Sequence, residues 1–398
     1  MKNIVLTSLS GLPSKFTGGP NKVIYYILNF YNSENLKFFF LSKHHFFHYE
    51  KNKNEFKGNP LILKTLLLTK LYHSFQLYRK IFSSPFYIKS FLNKSIETIG
   101  KHLEKNHWDV LHSHDIRTLF YCKEKKGKII QTVHSNGSIV NDMKQIYGEN
   151  KCLKDIYDSF FIKERNALKM VDVLTFPSYS AKELYFNDIN LNSSDFNIRI
   201  IYNGIDLDYI NSIESNNRFD NRWGWLDKFD YKILTIGNHI KVKNIDKILL
   251  VFYLIKQKIK NSVLIIIGSG PLTSYLKKLS EELNVSSYVH FISFLNYNDV
   301  LRLMKKCNIY ISLSERVIFD YVILEALACG MNVFASKDGG NKEIIDNSNG
   351  KLVDIDDLEA VAETILTSNL DFSDRAKNSV KKFDVKLMVN EYLKLYEE

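Results

Sequence analysis

Short apolar runs alternate with stretches of helical periodicity along this chain, and in its second half they do so without interruption. Lys232–Ile236, Val263–Ile267, Val289–Ile292, Ile309–Leu313 and Asn332–Ala335 read as strands. The segments Asp246–Ile259, Leu272–Leu283, Val300–Lys306 and a helix starting at Leu324–Cys329 lie between them. Strands spaced this way by helices need crossover connections, which give a parallel sheet covered on both faces. The first half shows the same layout less densely, with strands at Lys2–Ser8, Leu36–Leu41, Val110–His112 and Ile129–Val133 and helical periodicity over Leu61–Phe82 and Asp155–Met170. At 398 residues the chain has room for two domains with separate cores. The expectation is therefore α/β with two doubly wound domains, 1–210 and 211–384. The polar stretch Asn211–Lys228 serves as linker or variable loop, and a final helix at 385–398 packs back on the first domain.

Composition narrows the class further. Four cysteines, Cys122, Cys152, Cys307 and Cys329, stand far apart with no C-x-x-C pair, which argues against a disulfide framework or a cysteine zinc site and for a reducing cytoplasm. Met1–Ser8 lacks the parts of a signal peptide, and no apolar run of about 18 residues is present to span a bilayer. The charge is lopsided. Residues 1–100 carry 14 Lys and Arg against 4 Asp and Glu, which alone matches the +10 of the whole chain. A surface so charged meets something anionic. Lys64, Lys70, Arg79 and Lys80 interrupt an apolar, aromatic series, a pattern suited to an anionic bilayer interface, although Leu61, Leu68, Leu71 and Phe75 equally fit a buried helix. Nucleic acid is the other anionic partner to weigh, but no recognised nucleic-acid module is apparent, so none is expected.

Ligands of doubly wound sheets bind where strands end at their carboxyl edge, near the switch point of strand order. Several motifs fall at such ends. Gly268-Ser269-Gly270-Pro271 follows a buried strand, where glycines admit a phosphate or base close to the backbone, or simply make a tight turn. Gly237 to Asp246 places Lys241 and Lys243 after another strand, either as solvated lysines or as point charges for a diphosphate. Glu325 lies in an apolar helix start, where ligand hydroxyls or the helix dipole would explain a carboxylate. In the first half, Leu111-His112-Ser113-His114-Asp115 and Gln131-Thr132-Val133-His134-Ser135 bring histidines to consecutive strand ends, and Gly18 and Gly19 occupy the first strand–helix turn.

In their order along the chain these stations resemble the family 4 glycosyltransferases. They include Gly18–Gly19, Val110–Asp115, His134, Glu164–Asp172, Tyr202–Asp206, Lys243, Gly268–Pro271, Leu324–Gly330 and Gly339–Ile345. The resemblance implies the GT-B fold, two facing Rossmann-like domains with the active site in the inter-domain cleft. It also implies transfer from a nucleotide sugar, UDP- or GDP-linked, with retention and no metal or other cofactor. By the same resemblance Gly18 and Gly19 face the donor phosphate and acceptor, and His134 contacts the donor sugar. Lys243 compensates the diphosphate leaving group, and Glu325 holds the ribose. Gly237, Asn238, Gly268, Gly270, Phe294 and Val322 line the donor. Glu315 and Asp320, the carboxylates nearby, are expected with His134 and Lys243 to carry the catalysis, Asp320 approaching the donor sugar. The family's arginine after Gly237 is Asn238 here, with His239 or Lys241 as substitutes, and the glutamate expected eight residues before Glu325 is Val317. The expected acceptor is lipid-linked or another saccharide, in surface-polysaccharide assembly such as O-antigen, capsule or lipooligosaccharide. The expected location is the inner face of the cytoplasmic membrane, as a peripheral protein. A GT-B epimerase, or a non-catalytic partner of that fold, is the alternative. The D-x-D strings Asp206–Asp208 and Asp354–Asp356 read as turn carboxylates, and no metal site is expected.

Overall fold

A computed structural model describes residues 1–9, 12–15, 19–42, 46–50, 55–57, 93–149, 151–214, 217–368 and 373–398. They fall into two compact units, Met1–Tyr202 with Met388–Glu398, and Asn203–Leu387. Gly18 and the basic positions Lys64, Lys70, Arg79 and Lys80 lie outside the described residues.

In unit 1, β1 (Lys2–Ser8), β2 (Leu36–Ser42), β3 (Phe46–Glu50), β4 (Glu55–Lys57), β5 (Val110–Ser113), β6 (Lys128–Thr132), β7 (Val173–Phe176) and β8 (Ile198–Ile200) form one sheet. Its order is β4-β3-β2-β1-β5-β6-β7-β8. β3 and β4 add antiparallel at one edge, and the other pairings are parallel. β1 explains why the run reads as continuously apolar: Ile4, Val5 and Leu6 are all buried, so side chains on both faces meet packed neighbours. The chain moves from β1 outward to β2 and then crosses to β5 on the far side, so the switch point lies between β1 and β5. The residues Met388–Glu398 continue a helix, Val385–Glu397, whose Tyr392 and Tyr396 are buried in this unit. Lys2 Nζ donates to the carbonyls of Tyr396 and Glu397 at 3.0 and 2.9 Å, and Lys128 Nζ donates to that of Leu395 at 2.7 Å. Lysines thus satisfy the free carbonyls at the helix end.

Unit 2 holds an all-parallel sheet of β9 (Tyr231–Ile236), β10 (Ser262–Ile267), β11 (Val289–Ile292), β12 (Ile309–Ser312), β13 (Asn332–Ser336) and β14 (Gly350–Val353). The order β11-β10-β9-β12-β13-β14 puts its switch point between β9 and β12. Every residue of β10 is buried, and Phe252, Leu264, Ile266 and Phe334 sit in one core cluster with the helix Ile245–Lys258. Burying one such side chain contributes about 1.5–3 kcal/mol.

Two expectations need correction. The stretch expected to be a polar linker folds instead: a helix Asn217–Trp223 and a turn Gly224–Lys228 bury Phe219, Trp223 and Leu226. Their spacing of four and three residues is helical, but charged and amide neighbours hide it. The helix expected to open near Glu325 begins earlier, at Tyr321, because the Asp320 side chain accepts the Val322 N–H at 2.9 Å and caps it. Among the described residues, no helix is long and apolar enough to cross a membrane.

Candidate functional site

The carboxyl edge of each sheet gathers most of the chemistry named above. In unit 2, Gly237 leaves β9, Gly268–Gly270 leave β10, Phe294 follows β11, Glu315 and Asp320 follow β12, and Gly339–Gly340 follow β13. The loops after β9 and β10 interlock. Gly268 has φ +137°, and a Cβ there would lie 1.9 Å from the Gly237 carbonyl oxygen, so only glycine fits. A Cβ on Gly270 would lie 2.6 Å from the His239 carbonyl. The His239 N–H donates to the Ser269 carbonyl at 3.2 Å and the Leu272 N–H donates to that of His239 at 3.1 Å.

Lys243 ends a single 3-10 turn, Lys241–Lys243, and its stem runs along Gly237, with Cδ and Cγ 3.5 and 3.6 Å from where a Cβ would stand. The next residue, Asn244, ties this turn across the switch point. Its Nδ2 donates at 2.9 Å to both the Leu313 carbonyl and Glu315 Oε2. The Glu315 N–H donates to the Val242 carbonyl at 2.9 Å. The loop after β9 and the loop after β12 are therefore one assembly, with Lys243 and the exposed Glu315 on its two sides. Val317 is held at its backbone: its N–H donates to Asp338 Oδ1 at 2.7 Å, and its carbonyl accepts the Gly340 N–H at 2.8 Å.

Glu325 is buried in the middle of its helix and accepts the Tyr297 hydroxyl at 2.8 Å. Tyr297 stacks on Tyr209 with ring centroids 6.2 Å apart, and the Tyr209 hydroxyl donates to Asn298 Oδ1 at 2.5 Å. Sequence reasoning missed this tyrosine pair; the only signal was its aromatic content. Phe294 is 78% exposed, so its ring is free for a flat ligand. Asn238 is exposed and Val322 half-buried. His239 does not supply the charge of the arginine expected after Gly237. It is buried, its Nδ1 bonds Thr273 Oγ1 at 2.8 Å, and burial followed by Lys277 lowers its pKa, keeping it neutral.

In unit 1 the switch point opens on a cavity of about 360 Å³, lined in part by Ser8, Pro20, His114, Asp115, Gln131 and His134. Gly19 stands just before the helix Pro20–Phe30 with φ +63°, a conformation that favours glycine. Asp115 caps the turn Ile116–Leu119 and holds the Arg117 guanidinium through two bonds of 2.9 and 2.7 Å. His134, half-buried, pairs its Nε2 with His114 Nδ1 at 3.0 Å. Burial holds the His134 pKa down to about 4 against the opposing pull of Asp115, and it lowers those of His112 and His114 well below the ordinary value. All three imidazoles are neutral near pH 7.

Behind them, His112 Nδ1 meets the Tyr396 hydroxyl at 2.6 Å and its Nε2 meets Thr132 Oγ1 at 2.7 Å. Tyr396 lies at the far end of the sequence, so no local signal could have paired it with His112. Glu164 is fully buried, accepts the Ile139 N–H and, at 2.9 Å, the Tyr185 hydroxyl, and is pushed up to about 7 by burial. A carboxyl whose folded pKa is raised binds its proton more tightly when folded. Its stabilising contribution is full below about pH 4.5 and is lost as pH rises through about 7. Glu164→Gln therefore flattens the decline in melting temperature between pH 5 and 8; a variant curve parallel to the parent's removes Glu164 as its cause.

The D-x-D carboxylates serve locally. Asp206 accepts the Tyr209 N–H at 2.9 Å, Asp208 pairs with Lys386 at 2.7 Å, and Asp354 accepts the Asp356 N–H at 3.1 Å.

Comparison with known proteins agrees with this layout. Residues 217–379 match the family model for glycosyl transferases group 1, and residues 64–209 match that for glycosyltransferase family 4. An uncharacterized glycosyltransferase of Methanocaldococcus jannaschii is 27% identical over 60% of this chain and 60% of its own length. N-acetyl-alpha-D-glucosaminyl L-malate synthase of Bacillus anthracis is 24% identical over 79% of this chain and 80% of its own. Among solved structures, sucrose-phosphate synthase from Thermosynechococcus elongatus aligns over 100% of this chain and 98% of that one, with TM-score 0.71 and 17% identity. HepE of Anabaena, in complex with UDP, aligns over 100% of both chains with TM-score 0.65 and 14% identity. With two family models matching in series and the fold shared from end to end, the chain belongs to the family 4 glycosyltransferases and has the GT-B fold.

Proposed function

We propose that the chain transfers a sugar from a nucleotide-sugar donor, UDP- or GDP-linked, to a lipid-linked or other saccharide acceptor, with retention of configuration. The observation that carries this reading is the joined assembly at the unit 2 switch point. Asn244 fastens the Lys243 turn to the Glu315 loop, so an ammonium and a carboxylate flank the place where doubly wound sheets take nucleotides. The diphosphate gains charge as the glycosidic bond breaks, and Lys243 is the group proposed to meet that charge, so no metal enters the proposal. Glu325 is proposed to hold the ribose hydroxyls, with Tyr297 orienting it, and Phe294 to cover the base. Gly237, Gly268 and Gly270 let donor atoms approach the backbone, alongside Asn238 and Val322. Glu315 and Asp320 stand nearest the reacting sugar. In unit 1, His134 is proposed to contact that sugar, and Gly18 and Gly19 to face the phosphate. HepE, crystallised with UDP, supports the choice of nucleotide. A panel of UDP-, GDP- and TDP-sugars tested by thermal shift checks this first, because a ligand bound only to the native state raises its melting temperature. No shift with any of them would remove the donor reading.

The acceptor is proposed to be membrane-borne, in surface-polysaccharide synthesis at the inner face of the cytoplasmic membrane. This part rests on the sequence alone, on Lys64, Lys70, Arg79 and Lys80 set in their apolar series. Each basic residue near an anionic surface contributes about 1 kcal/mol. Replacing all four by glutamine is expected to release the protein from vesicles containing phosphatidylglycerol; sedimentation equal to the parent's would end the membrane reading.

A further inference from the structure

The hydrogen bond between His114 and His134 carries one proton, and its position is not arbitrary. The two rings stack 5.3 Å apart at 16°, with Nδ1 of His114 facing Nε2 of His134 at 3.0 Å. Burial keeps both imidazoles neutral near pH 7, and a neutral imidazole owns a single N–H. One ring donates, the other accepts, and that choice fixes both tautomers. Had His134 donated through Nε2–H, the proton of His114 would sit on its own Nε2. That atom is buried and has no partner among the described residues. An orphaned buried N–H is rarer in proteins than an under-used acceptor. With His114 donating through Nδ1–H, the orphan is only a lone pair, and the proton of His134 moves to Nδ1.

The neighbouring histidine cannot relieve the orphan, because both its nitrogens are engaged. Thr132 Oγ1 lies 2.5 Å from Thr175 Oγ1 and 3.3 Å from the Tyr392 hydroxyl, in a network of hydroxyls behind the ring. His112 Nε2 bonds Thr132 Oγ1 and its Nδ1 bonds the Tyr396 hydroxyl.

We propose that His114 is a positioning residue that holds His134 in the Nδ1–H tautomer, so that His134 offers a hydrogen-bond donor, not a proton acceptor, to a substrate oxygen in the unit 1 cavity. This rests on the proposed sugar transfer for the statement that His134 touches substrate, but not for the tautomer. A sugar hydroxyl or ring oxygen is the kind of partner such a donor recognises, and His134 is thereby excluded as the base of the reaction.

The test is long-range ¹H–¹⁵N correlation on the full chain with ¹⁵N-labelled histidine at pH 7.5, assigned with His114→Asn and His134→Ala. The expected spectrum shows Nδ1 protonated and Nε2 unprotonated for both His114 and His134. A protonated Nε2 on His134 overturns the proposal. Asparagine places an amide N–H near the Nδ1 position and leucine places none. His114→Asn should therefore keep kcat within about threefold, while His114→Leu should lose about 10–100-fold, as outer-shell partners do. Equal losses in the two variants also overturn it. If His114→Leu fails to fold, the parent spectrum alone decides. A chain that shows the expected tautomers yet transfers no sugar would refute the function and leave the tautomer assignment standing.

Discussion

Replacing His134 by alanine lowers the rate of sugar transfer by about 10²–10³-fold, the usual loss when one preorganised donor is removed from a reacting centre. The ring follows β6 directly, beside the switch point of unit 1, and its one hydrogen bond among the described residues goes inward to His114. Its other nitrogen is left for the cavity. Because the ring is half-buried rather than central to the core, its removal costs little of the fold, so the melting curve of the variant stays close to the parent's. The rate profile adds a second check. A pKa near 4 means His134 does not change charge between pH 6 and 8, so its titration adds no inflection there. Turnover within a few-fold of the parent, with the fold intact, would take His134 out of the site.

The second large effect is at Lys243. Methionine keeps the apolar stem that packs along Gly237 and removes only the charge, so Lys243→Met isolates the electrostatic part. The expected loss in kcat is about 10³-fold, at the upper end for a single group facing a developing anion. The reason it belongs there is local. The position where arginine was expected after Gly237 is the exposed Asn238, and His239 beside it is buried and neutral. It follows that Asn238→Arg, on an exposed position that costs no packing, recovers part of the lost rate in the Lys243→Met background. A Lys243→Met enzyme within about tenfold of the parent would mean the leaving group is met by another cation.

What could be read from the letters follows physical locality. The parallel strands were legible because burial on both faces makes them unbroken apolar runs, as in Val263–Ile267. The glycine turns were legible because each follows such a run. Short or edge pieces were not. β8 (Ile198–Ile200) and β14 (Gly350–Val353) are each broken by a charged residue, so no unbroken apolar run marks them, and β3, β4 and β7 were not read either. The segment holding Phe219 and Trp223 looked like a linker because its polar face dominates the composition. At the site, His134 and Lys243 were visible as residues following strands, and Glu325 as a carboxylate in an apolar helical run. The groups that hold them, His114 Nδ1 against His134, Tyr297 against Glu325 and Asn244 across to Glu315, come from packing. Tyr396 on His112 comes from a contact between residues 284 apart in the chain.

The central claim is that the carboxyl edge of unit 2 grips a nucleoside diphosphate by two separate means, charge at Lys243 and ribose hydroxyls at Glu325. Calorimetric titration of the parent, Lys243→Met and Glu325→Ala with UDP, GDP and inorganic pyrophosphate separates them. Losing hydrogen bonds to a buried carboxylate costs about 1.5–3 kcal/mol, or about 10–100-fold in affinity. Glu325→Ala should show that loss for the better-bound nucleotide and none for pyrophosphate, whereas Lys243→Met should weaken both. Nucleotide affinity unchanged in both variants, or no binding of UDP and GDP to the parent, would contradict the account.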